Sequence, residues 1–235
     1  MTADAPERPV EIAAPKRTMS RARKYALLLV GGLFMLSVVQ VLEGTHQLTA
    51  PGTWGAALRL TIPIMLAALG GLYAERSGIV NIGLEGMMIA GTWFGAWAGW
   101  QYGPWVGVAL GIVGGALFGL VHAIATVTFA VDQIVSGVAI NILAAGSMRF
   151  LSSVLYTADT GGGATQSPRI QEFIGTFSVP WISGWFNALA DKGWFFLSDV
   201  AGIIAGLTTG VSWLTFWALI LIPASWWLLW RTVWA

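Results

Sequence analysis

An all-α, polytopic membrane protein, a bundle of about six transmembrane helices with a broken or re-entrant segment after the second, is predicted by three observations. Hydrophobic residues make up 56% of the 235-residue chain and charged residues only 10%, with a mean hydropathy of +0.72. A soluble domain needs a charged coat, and too few such residues are present to make one. Six stretches are apolar over about 18 residues or more, which at about 1.5 Å of rise per residue crosses a hydrocarbon core. Short polar turns and inserts separate them.

Six of the twelve Lys and Arg residues lie in the first 24 positions: Arg8, Lys16, Arg17, Arg21, Arg23 and Lys24. Residues 1–23 also hold three prolines and show no apolar period, so a disordered basic cytoplasmic tail is expected there. The first span follows at Tyr25–Leu42. It is longer than a signal-peptide core, and Val41-Leu42-Glu43 is no small-residue cleavage site, so it reads as a retained helix. The second span is Ala56–Tyr73 and the third runs from Ile82 to Trp100, with the polar insert 74–78 between them. Gln101-Tyr102-Gly103-Pro104 makes a tight turn. The fourth span, Trp105–Val131, is long enough to need tilt or a bend. Asp132-Gln133 opens the fifth, Ile134–Tyr156, and Trp213–Trp230 is the last.

Residues 157–212 change character and are expected as an extracytoplasmic loop with interfacial segments. Trp181, Trp185, Trp194, Phe195 and Phe196 suit a lipid interface, and Val200–Thr209 is apolar but too short to span. An N-terminus inside then places the Arg76 insert and Arg231 inside as well, while the 43–55 loop and the 101–104 turn, which carry no Lys or Arg, lie outside. Arg59 and Arg149 do not fit this simple rule, and Arg149 sits deep within a span.

Several function classes are excluded or disfavoured. With no cysteine there is no disulfide framework, thiolate nucleophile or Cys-based metal site, and two lone histidines, His46 and His122, make no metal site either. No basic face beyond the tail offers a nucleic-acid surface; the lipid bilayer is the expected surrounding. No Walker-type loop, His-Glu-x-x-His or Gly-x-Ser-x-Gly is found, so no enzyme and no cofactor is expected in this chain.

Two features of the apolar stretches stand out. Gly103, Gly107, Gly111, Gly115 and Gly119 recur every four residues in the fourth span, and Gly91, Gly95 and Gly99 in the third. Small residues at that spacing form a ridge along which backbones approach, so Gly107, Gly111, Gly115 and Gly119 are read as helix-packing positions. Polar groups at membrane depth are expensive and face an interior or a cavity. The densest set is Glu75–Met88, where three glycines weaken helix continuity; it is either a broken helix lining a cavity or an ordinary loop with an acid at a helix start. A second set is Asp132, Gln133, Ser136 and Asn141, with Asn141 open to helix-to-helix bonding or solute contact. Arg149 needs a counter-charge from another helix, and Glu85 is the candidate.

The run ERSGIVNIGLEGMMIAG (Glu75–Gly91) closely resembles the signature of ABC transporter permeases of the nucleoside and simple-sugar branch, within the group that includes ribose and branched-chain amino-acid permeases. DQIVSGVAINILAAG (Asp132–Gly146) is similar to the family's second stretch and GGGATQSPRI (Gly161–Ile170) to its outer-loop segment. The resemblance covers about residues 56–232. It implies a permease transmembrane domain over 24–235 in a bacterial plasma membrane. The partners it implies are a second permease subunit, cytoplasmic ATP-binding cassettes that use the ATP, and an extracytoplasmic solute-binding lipoprotein. On the same footing, Ser77, Gly78, Asn81, Glu85 and Asn141 fall beside the translocation path, and the solute is a nucleoside. A sugar or branched-chain amino acid carried by the same machinery, or a stand-alone secondary transporter or channel, are the rival readings. The final residues Trp230-Arg231-Thr232-Val233-Trp234-Ala235 stop inside a run that such permeases continue, so an N-terminal part of a longer permease is expected, and a non-transporting remnant is a third rival.

Overall fold

The computed structural model describes residues 20–156 and 161–231. The chain runs α1 (Arg21–Glu43), α2 (Pro51–Arg76), α3 (Leu84–Tyr102), α4 (Pro104–Ala123) with a π-helical turn at Ile124–Thr128, and α5 (Gln133–Leu155). The strand pair β1 (Thr176–Phe177) and β2 (Val211–Ser212) encloses α6 (Ile182–Ala190) and α7 (Leu197–Thr208), and α8 (Trp213–Arg231) closes the chain. α1, α2, α4 with its π turn, α5 and α8 are long and apolar enough to cross a membrane.

α3 is the exception among the six expected spans. Its glycines and tryptophans lower its hydropathy, and it packs between α4 and α5 with Ala90 and Ala98 fully buried. A helix wrapped in protein needs less lipid-compatible surface than one at the rim.

Local chemistry sets the boundaries. The first turn of α1 takes in residues 21–23, which the sequence reading placed in the tail, because Ser20 caps it: the Arg23 N–H donates to Ser20 Oγ at 3.3 Å. The disorder expected for residues 1–19 lies outside the described residues. Pro51 at the first position starts α2 five residues before the expected Ala56. Gly78 ends that helix, taking the left-handed conformation at φ +82°. The Gly78 N–H donates to Glu75 O and the Ile79 N–H to Ala74 O, both at 3.0 Å, which is a Schellman closure. Asp132 caps α5, its carboxylate accepting from the N–H groups of Ile134 and Val135. The excess length expected in the fourth span is taken up by the π turn and an irregular Phe129–Val131.

The two glycine rows meet. A Cβ placed on Gly107 would lie 2.7 Å from Gly95 O and 2.8 Å from Gly99 Cα, and one on Gly111 would lie 3.1 Å from Gly91 O. Gly115 approaches Met87 O and Gly91, whereas Gly119 only reaches the Met87 sulfur at 3.7 Å. The α3 and α4 backbones are therefore in contact over about three turns.

Within the region expected as a loop, residues 161–212 carry two helices and a strand pair. α6 and α7 pair as a helical hairpin, and α7 packs on α2 with Gly202 against Thr49 O and Gly206 against Pro51 O. One polar knot holds α1 to this hairpin. Asp199 on α7, only 5% exposed, accepts from Thr49 Oγ1 at 2.6 Å and Gln40 Nε2 at 3.2 Å, and pairs with His46 Nδ1 at 3.3 Å. Gln40 Oε1 in turn accepts from the Leu48 and Thr49 N–H groups. Burial by itself raises the Asp199 carboxyl, but the hydroxyls of Thr49 and Ser37 and the ring and charge of His46 outweigh it and hold the group below its ordinary value. Next to the knot Phe34 meets Phe195 and Phe196. At the opposite end Arg76 Nη2 donates to Leu229 O at 2.6 Å and its guanidinium lies over Trp230, tying α2 to α8.

Candidate functional site

The α2–α3 break, residues 77–83, is seated on the first turns of α5. Gln133 Oε1 accepts from the Val80 N–H at 2.7 Å, and Gly83 lies against Gly137 and Ile140. Asn141 completes the joint: its Oδ1 accepts from the Gly86 N–H at 2.7 Å and its Nδ2 donates to Ile82 O at 3.2 Å. The first N–H groups of a helix have no partner within it, so Asn141 acts as a cap for α3 supplied by another helix.

That joint fixes the rotation of α3 against α5, and a groove of about 650 Å³ opens between them. Glu85, Met88, Ile89, Thr92, Trp93 and Ala96 share one face of α3 at helical spacing. Ala145, Met148, Arg149 and Ser152 on α5, with Tyr156 just beyond it, form the facing wall, and Ala164–Ser167 closes the far end. Trp93 Nε1 donates to Ser152 Oγ at 2.9 Å, and its ring stacks with that of Tyr156 at 6.1 Å between centroids. The Tyr156 hydroxyl is buried and has no partner among the described residues. Two largely buried aromatic rings, five hydroxyls, an amide and two charges thus line one cavity. A second cleft, about 610 Å³, lies between Val121, Ala125, Val135 and Leu143; with Ser136 its one polar wall residue, it offers little to a hydroxylated solute.

Of the residues singled out from sequence, Glu85 lines the groove and Asn141 sits beneath it. Ser77 and Gly78 belong to the α2 cap, where Ser77 Oγ donates to Ala74 O at 2.7 Å, and do not reach the groove. Asn81 lies between cap and α3, its Oδ1 buried without a partner among the described residues. Glu85 and Arg149 share the groove but form no ion pair within 4.0 Å, so the expected counter-charge is not in place. The Asn141–Gly86 contact explains why: Arg149 lies eight residues farther along α5, about 12 Å up the groove. Thr92, Ser152, Gln166 and Ser167 were not singled out as site residues. Thr92 and Ser152 are single hydroxyls on two different helices and Gln166 and Ser167 lie in the non-helical segment after α5, so their grouping is readable only once the two faces are known to meet.

The family described as branched-chain amino acid transport system / permease component matches residues 55–234. The chain belongs to that family. Among curated permeases, it is 37% identical over 172 residues to the guanosine ABC transporter permease protein NupQ of Bacillus subtilis, covering 67% of this chain and 49% of that protein. It is 32% identical over 163 residues to the nucleoside ABC transporter permease protein NupC of Lactococcus lactis, covering 64% of this chain and 47% of that one. A putative glucose ABC transporter permease protein of Haloferax volcanii is 34% identical over 113 residues, 44% of this chain and 32% of its own length. The chain spans about half the length of the first two relatives. No solved structure matches it.

Proposed function

We propose that this chain is membrane-spanning permease material of an ATP-driven nucleoside importer, with the α3–α5 groove bordering the solute path. The observation that carries the reading is the groove itself, a mainly apolar cleft with a few placed polar groups, Glu85, Thr92, Arg149 and Gln166, running from the start of α3 to the 164–167 segment. A nucleoside offers a flat base and a ring of hydroxyls, and such a solute suits an apolar wall with a few placed polar groups. The family and the names of the two nucleoside permeases support the same class. ATP hydrolysis then belongs to cytoplasmic cassette subunits, solute delivery to an extracytoplasmic binding lipoprotein, and a second permease chain faces this one. Basic residues at one end of the bundle, Arg21, Arg76 and Arg231, favour a cytoplasmic N-terminus in a bacterial plasma membrane.

A sugar is the second reading, favoured by the putative glucose permease among the relatives.

The chain has no cysteine, so single cysteines can be placed at Thr92, Ala145 and Ser152 of the assembled transporter. Water-soluble maleimides are expected to label the exposed Thr92 and Ala145 positions and to leave the buried Ser152 position unlabelled, and nucleosides, but not glucose or leucine, to slow the labelling of the first two. Glu85→Gln is expected to reduce nucleoside uptake several-fold with the complex intact. Thr92 and Ala145 positions inert to maleimide, or protected by sugar alone, would remove the nucleoside path from this groove.

A further inference from the structure

Arg149 has no role in holding the described fold together. It is exposed on the groove wall, in the second half of α5, and no carboxylate among the described residues lies within 4.0 Å of it. A cation at that position in an apolar helix is costly unless it faces a watery path, and such residues mark the route of a solute. A guanidinium stays charged, presents donors in a rigid planar fork and accepts nothing. Its best partner is therefore a pair of neighbouring acceptors in one plane.

Around it the groove has exposed polar and apolar wall. Thr92 and Ala145 are exposed on the two facing helices, and the buried Trp93, Met148 and Tyr156 border the groove by their rims. Resting on the nucleoside reading above, we infer that Arg149 is a specificity-determining residue that favours 6-oxopurine nucleosides, such as guanosine and inosine, during passage. In a 6-oxopurine, O6 and N7 are adjacent acceptors that a guanidinium bonds in a bidentate way. Adenine places an amino donor beside N7, and cytosine presents an amino donor at N4, so each opposes the fork with at least one N–H. Glu85 lines the same groove without pairing with Arg149, so the fork is open to that contact.

The test uses the assembled transporter in proteoliposomes, with each nucleoside preloaded on the binding protein so that capture is not compared. Arg149→Lys keeps the charge and removes the fork. The expected result is a fall of roughly tenfold in guanosine transfer relative to adenosine transfer. An unchanged guanosine-to-adenosine ratio would overturn the inference, and equal losses for both would assign Arg149 to pairing with an acid elsewhere in the assembly. The unmutated transporter provides an independent reading: 7-deazaguanosine, which lacks the N7 acceptor, is expected to move several-fold more slowly than guanosine, and equal rates would overturn the inference even if the variant failed to assemble. Wild-type transfer of no nucleoside at all is a different failure, and it strikes the nucleoside reading rather than Arg149.

Discussion

The Asp199 knot and the α3–α5 groove both place charged and polar groups within an apolar bundle, yet they are built in opposite ways. Around Asp199 the donors converge: Thr49, Gln40 and His46 all reach one carboxylate oxygen, and the residue is 5% exposed. In the groove the polar groups are spread along two helices, and the two charges, Glu85 and Arg149, do not meet. Donors converging on Oδ1 offset the cost of burying the Asp199 charge, although Oδ2 has no partner among the described residues, and an exposed charge is tolerable when water reaches it. The first arrangement fastens helices together. The second leaves hydrogen-bonding capacity for something that passes.

Substitutions can break this contrast. Asp199→Ala is expected to have the largest effect on stability, on the order of 3 kcal/mol, because it removes the acceptor that Thr49, Gln40 and His46 share and leaves the side-chain donors of Thr49 and Gln40 only their bonds to each other; the thermal midpoint of the purified protein in detergent reads it. Asn141→Ala is expected to cost about 1–3 kcal/mol, since the Gly86 N–H and Ile82 O lose their partner. Uptake should fall with it because α3 loses its set rotation, so the thermal midpoint and the uptake rate move together. Arg149→Met is expected to change the thermal midpoint by about 0.5 kcal/mol equivalent or less while altering transport. A large stability loss there would make the groove a second knot.

Acid sharpens the same contrast. The Asp199 carboxyl is held below its ordinary value in the fold, so its contribution is complete above about pH 4 and is lost as pH falls further through the lowered value. Thermal scans should therefore show a stability drop below about pH 4 that Asp199→Asn diminishes. An identical drop in that variant would locate the acid sensitivity elsewhere.

Features written in local chemistry were legible in the sequence. Gly78 and Gly83 announce the α2–α3 break, Asp132 announces the start of α5, and the four-residue glycine spacing coincides with the α3–α4 contact. Long-range polar pairing was not legible. Gln40 and Asp199 are 159 residues apart, and nothing local distinguishes Asp199 from an ordinary loop acid. The grouping of Thr92 with Ser152 and Gln166 depends on the rotation that Asn141 imposes, which is a tertiary fact. The helical hairpin α6–α7 was obscured for another reason: both helices are shorter than a span, so length and hydropathy marked the region only as interfacial.

The glycine contact between α3 and α4 bears on how the groove can change width. Where main chain rests on main chain there are few side-chain rotamers to exchange, and one helix cannot slide past its neighbour by small repacking steps. The two helices then behave as a laminated beam, and any widening occurs along the α3–α5 side beyond the glycine joint at Gly83, Gly86 and Gly137, where side chains such as Trp93, Met148 and Ser152 rather than main chain make the contact. Spin labels across α3 and α5 should report changing distances during turnover, and labels across α3 and α4 a constant one.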